Sequence, residues 1–156
     1  MELDILVRLA LAVICGSIIG LNRYLFHKDA GMRTNSLVAL GTAMATIVVM
    51  DAKDSDSQAL SRVLQGLVTG VGFIGAGVIM RSDGGLHVRG LTTAASIWIS
   101  AILGIAMGTG DYAVGLTGLA LALVSLMVGK PIEKKLARWL NDDNGDPRSR
   151  DDSDPE

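Results

Sequence analysis

The sequence predicts an all-α protein: a polytopic membrane helix bundle of about five transmembrane helices, with the amino terminus outside and the carboxyl terminus cytoplasmic. Three observations point there. The 156 residues are 49% hydrophobic and only 19% charged. The charges cluster, leaving residues 34–50, 63–80, 90–110 and 112–129 without Asp, Glu, Lys or Arg. Each gap approaches the ~20 mainly apolar residues that a helix needs to cross the bilayer core. Lysine and arginine, finally, concentrate in alternate loops, which sets orientation.

The first apolar stretch, residues 5–26, is broken by Arg8 near one end and Arg23 near the other. It opens with "MELDILVRLA", acidic where a signal peptide is basic, and no small-residue cleavage pattern follows. This first helix is therefore expected to be retained. Its single cysteine, Cys15, leaves no partner for an intrachain disulfide or a thiolate metal site. The loop "RYLFHKDAGMR" follows, with Arg23, Lys28 and Arg33, and residues 34–50 then make the second helix.

The third helix, residues 63–80, contains "GVGFIGAGVIM", in which Gly70, Gly72 and Gly75 spell G-x-G-x-x-G. A dinucleotide loop needs a strand before the glycines and an acidic residue about 20 positions beyond them. Here "SRVLQGLVT" reads as helix and Asp83 comes too early, so no cofactor is expected. Close packing is the better account, because small residues let helix backbones approach in lipid. Gly16 and Gly20, Gly66 and Gly70, and Gly104 and Gly108 each form a G-x-x-x-G pair. Gly72, Gly75, Ala76 and Gly77 make the third helix smooth on most of its circumference, so it is the one expected to lie centrally or to meet a partner. A broken helix at a binding site is the alternative.

The loop "RSDGGLHVRG" carries Arg81 and Arg89 into the fourth helix, 90–110, and the fifth follows at 112–129. Beyond it, Lys130, Lys134, Lys135 and Arg138 share a side with the first and third loops, which should be cytoplasmic. Glu2, Asp4, Asp51, Asp54, Asp56 and Asp111 fall opposite, with Arg8, Lys53 and Arg62. Residues 1–130 thus form the membrane domain. In 131–140, Ile132, Leu136, Trp139 and Leu140 recur on one face. That pattern fits an interfacial amphipathic helix in contact with membrane lipids, with Pro131 in its first turn; plain continuation of the fifth helix is the alternative. Residues 141–156 lack large apolar side chains and are expected to be disordered.

Catalysis finds no candidate. His27 and His87 lie in different loops and read as solvated, and no Ser-His-Asp, Cys-His or paired-carboxylate arrangement occurs. Fourteen basic residues against sixteen acidic ones give no basic surface for nucleic acid.

"AGMRTNSLVALGTA", "GVGFIGAGVIM" and "VRGLTTAASIWISAILGIAMGTG", in that order, resemble the amino-terminal membrane domain of the MgtC/SapB family, over roughly residues 4–130. The resemblance implies a bacterial inner-membrane protein. The family's namesake is associated with growth at low magnesium and with survival inside host cells. A non-enzymatic regulator of other membrane proteins is implied, such as of a transporter or an ATPase. Asn22, in "GLNR", stands where the family usually has a carboxylate, and longer members add a soluble domain resembling an ACT fold where this sequence has a short polar tail.

Two helix starts carry the candidate site. Arg33, Thr34 and Asn35 open the second helix, and Arg89, Thr92 and Thr93 open the fourth, with Arg23 on the same side. Free N–H groups at helix starts favour anions, so these residues can hold a phosphate, a lipid headgroup or a partner's carboxylate. In the plainer account the arginines set topology and the threonines cap helices. Two functional classes remain: a regulatory subunit, expected to be a homo-oligomer, or a small ion or solute transporter or channel. Transport usually needs ionisable groups inside the membrane, which are scarce here, so regulation is favoured.

Overall fold

The computed structural model describes residues 2–52, 57–81 and 88–143. The elements are helices α1 (Glu2–Leu25), α2 (Met32–Met50) and α3 (Ser57–Gly77), strands β1 (Met80–Arg81) and β2 (Val88–Arg89), then helices α4 (Leu91–Thr109) and α5 (Tyr112–Asp143). All five helices are long and apolar enough to cross a membrane. The loop read before α4 instead contains a short antiparallel ribbon, with Met80 opposite Arg89 and Arg81 opposite Val88. Residues 1–123 form one compact unit, and Val124 onward belongs to a second.

In the first unit, α2 and α4 lie side by side. Ser100 bonds Asn35, a Cβ on Gly104 would strike Ala39, and one on Gly108 would lie 2.9 Å from the Ala43 carbonyl oxygen. Both helices thus advance together in four-residue steps, which makes them parallel. Thr42 ties them further, its hydroxyl reaching the Ala101 carbonyl at 2.9 Å. Helix α1 runs antiparallel to α2. A Cβ on Gly16 would come within 2.5 Å of the Asn35 carbonyl oxygen, and one on Gly20 within 2.5 Å of the Met32 Cα. Only hydrogen fits at those crossings, the geometry that small residues permit between helices in lipid.

The most enclosed helix is α4, with buried Thr93, Ser96, Ile97, Ser100, Ala101, Leu103, Gly104 and Met107. Helix α3, expected to be central or partner-facing, buries only Val71 and Gly75. It leans on α4 where Val71 packs with Ile97 and Ala101 and where Gly75 faces Ala94. Gly66, Gly70, Gly72 and Gly77 face open space.

Helix ends are closed by backbone geometry. After α1, Lys28 N–H bonds the Arg23 carbonyl and His27 N–H that of Tyr24, both at 3.0 Å. This is a Schellman closure, with His27 (φ 51°) in the left-handed position that glycine usually takes. The same pattern ends α4, with Asp111 N–H on Ala106, Gly110 N–H on Met107, and Gly110 at φ 83°. Asp111 then caps α5, its side chain accepting from Val114 N–H at 3.2 Å. At the starts of α2 and α4 the expected threonine caps are absent: the N-caps are Gly31 and Gly90, without side-chain bonds. Gly90 has φ 90°, and a Cβ there would collide with the Val78 carbonyl.

In the second unit α5 continues as helix from Val124 to Asp143. Residues 131–140 are helical without a new start at Pro131, and Ile132, Leu136 and Trp139 are exposed. Of residues 141–156, expected to be disordered, 141–143 are the last residues of α5, and 144–156 lie outside the described residues.

Candidate functional site

Arg23 is in the last turn of α1, and the face it shares with Gly20 and Ile19 points into the bundle. Its guanidinium is carried inward: Nη2 donates to Thr93 Oγ1 at 2.9 Å, and the buried Nε has no partner. Asn35, fully buried in the first turn of α2, donates through Nδ2 to the carbonyls of Ala30 (2.5 Å) and Gly31 (3.0 Å). Its Oδ1 accepts from Ser100 Oγ at 2.8 Å. Ser100 Oγ also reaches the Ser96 carbonyl at 3.0 Å, and Ser96 Oγ reaches that of Thr93 at 2.7 Å. A buried polar run therefore joins Arg23, Thr93, Ser96, Ser100 and Asn35 across three helices. Asn22 is buried beside it in sequence.

Of the candidate residues, the fold brings Arg23, Asn35 and Thr93 inside, while Arg33, Thr34, Arg89 and Thr92 remain exposed. Ser96 and Ser100 were missed as site residues. Their signal is spacing, since Thr93, Ser96 and Ser100 recur at three and four positions, which stacks them on one helix face.

Arg8 occupies the opposite end of α4. Its Nη1 donates to the Gly108 carbonyl at 3.0 Å and its Nη2 pairs with Asp4 at 2.9 Å. A cation suits that end, where the last carbonyls of a helix are free and its dipole is negative. Elsewhere, Cys15 is buried and unpaired, and His27 is exposed. His87 is outside the described residues. Among the described residues no three His, Cys, Asp or Glu side chains converge.

A family model described as the MgtC family matches residues 9–135. Protein SrpB of Synechococcus elongatus is 43% identical over 143 residues, covering 85% of this chain and 78% of that one. The putative magnesium transporter YhiD of Escherichia coli K12 is 39% identical over 135 residues, 82% of this chain and 61% of its own length. Protein MgtC of Brucella abortus is 45% identical over 102 residues, 65% of this chain and 41% of the relative. The matched region thus spans less than two thirds of the latter two proteins. No solved structure matches.

Proposed function

Because the chain belongs to the MgtC family and has five helices long and apolar enough to cross a membrane, we propose that it is a non-enzymatic regulator of other membrane proteins, active under magnesium limitation or related stress. On this reading it lies in the bacterial inner membrane, self-associates through the exposed glycines of α3, and acts on a transporter or an ATPase.

The observation that favours regulation over transport is the charge content of the bundle. The buried polar side chains are Asn22, Arg23, Asn35, Thr42, Thr46, Thr93, Ser96 and Ser100. Among the described residues none of these is a carboxylate, the ligand a hard divalent cation prefers, and the one charge among them repels such an ion. One relative bears the name putative magnesium transporter, which keeps transport as the competing function. Liposomes containing only this protein should therefore pass magnesium no faster than empty liposomes. Sustained, protein-dependent magnesium flux would establish transport instead.

The orientation proposed is amino terminus outside and carboxyl terminus cytoplasmic, from the Lys28 and Arg33 side of the bundle. After Cys15→Ala, a cysteine at Ala52 should react with an impermeant thiol reagent in intact cells, whereas one at Lys28 should react only after lysis. The reverse pattern would invert the topology. Both positions are exposed.

A further inference from the structure

Arg23 is a buried charge with no acid in contact. It is 5% exposed, its Nη2 is bonded to a neutral hydroxyl, and its Nε has no acceptor among the described residues. Asp29, in the α1–α2 loop, is the acid whose field reaches it, yet Asp29 is exposed and makes no ion pair with it. Two more sources of positive potential converge there. Because α2 and α4 are parallel, their first turns lie at the same end. Gly20, one turn before Arg23, touches the backbone at Gly31 and Met32, while Arg23 itself reaches Thr93 in α4. Neither helix has a side-chain cap or an acid in its first turn.

Each start therefore presents N–H groups without intrahelical acceptors and about half a positive charge. A guanidinium added to two such ends in a membrane-embedded bundle is costly unless an anion joins them. At the other end of α4, Arg8 also has a buried Nε without a partner, but its charge meets a helix carboxyl end and is paired with Asp4.

We propose that the end of the bundle formed by the α1–α2 loop and the starts of α2 and α4 binds a phosphate group. The donors are the Arg23 guanidinium and the free N–H groups of the two first turns. Arg33 and Arg89, exposed beside those starts, draw the anion in. Phosphate fits because its several oxygens can accept from donors arriving from three elements at once. The group can belong to a membrane phospholipid or to free inorganic phosphate, since the site lies at the ends of the spans.

The test uses the full-length protein in nanodiscs of neutral phosphatidylcholine. Phosphatidylglycerol is titrated in and followed by native mass spectrometry; inorganic phosphate is titrated separately and followed by thermal shift, with chloride as control. One of the two should bind saturably, and which one identifies the source. Arg23→Gln should weaken that binding by about tenfold to a hundredfold, the equivalent of a charged hydrogen bond. Arg33→Gln and Arg89→Gln should weaken it less. Binding of neither probe, or equal binding by Arg23→Gln and the parent, overturns the proposal. If Arg23→Gln does not accumulate, Arg23→Lys replaces it: it keeps a charge but loses Nε and the planar fork, and undiminished affinity there is equally fatal.

Discussion

Gly104→Ala should force α2 and α4 apart and destabilise the bundle by about 1–3 kcal/mol, the range for overpacking a close-packed interior. The new methyl would land on the Ala39 carbonyl and the Thr42 hydroxyl. Neither neighbour yields easily, because one is helix backbone and the other is bonded to the Ala101 carbonyl. Gly70→Leu is the counterpart. Among the described residues nothing lies within 4 Å of a Cβ at Gly70, so the folded chain should unfold as the parent does, while the self-association proposed above should weaken. Unfolding in mixed micelles reads the first effect, and oligomer size in detergent reads the second. Equal unfolding midpoints for Gly104→Ala and the parent would contradict the α2–α4 contact, and unchanged oligomer size in Gly70→Leu would remove α3 as the assembling face.

Asn35→Leu should cost about 1–3 kcal/mol, whereas Ser100→Ala should cost only about 0.6 kcal/mol. The two residues share one hydrogen bond, so the difference isolates what else Asn35 holds. Its amide donates to Ala30 and Gly31, and Ala30 sits at φ 57°, a left-handed conformation unfavourable for a side-chain-bearing residue. Without those bonds the α1–α2 loop loses the anchor that keeps Ala30 there. Reversible unfolding of both variants decides the matter: a Ser100→Ala loss as large as that of Asn35→Leu would mean the inter-helix bond, and not the loop, is what Asn35 secures.

The five spans were legible because a bilayer excludes charge from its interior, and the gaps at 34–50, 63–80, 90–110 and 112–129 record that exclusion directly. Helix neighbours were less legible. A glycine announces a close approach without naming the other surface: Gly104 meets α2, Gly75 meets Ala94, and Gly70 meets nothing among the described residues. Residue type also failed to separate Arg23 from Arg33 and Arg89. Helical phase separates Arg23 from Arg33: Arg23 follows Gly20 on the inward face of α1, while Arg33 points out from α2. Thr34 and Thr92 looked like caps, but Gly31 and Gly90 occupy those positions, at Gly90 because its positive φ and the nearby Val78 carbonyl exclude a side chain. Pro131 suggested a helix start and instead lies within α5.

The parallel pairing of α2 with α4 fixes an order of events during synthesis. The α1–α2 hairpin can form as soon as residue 50 is made, since Gly16 and Gly20 meet α2 directly. Its polar groups must wait, because Ser100 lies 65 residues after Asn35 and Thr93 lies 70 after Arg23. Counted from residue 50, Thr93 is 43 residues on and Ser100 is 50, so at a ribosomal pace of about 5–20 residues per second the interval is on the order of 2–10 seconds. Throughout it, the nascent hairpin holds an arginine and an asparagine whose α4 partners have not yet been made. The first half of this protein is thus born with its polar groups half matched, and the arrival of α4 completes them.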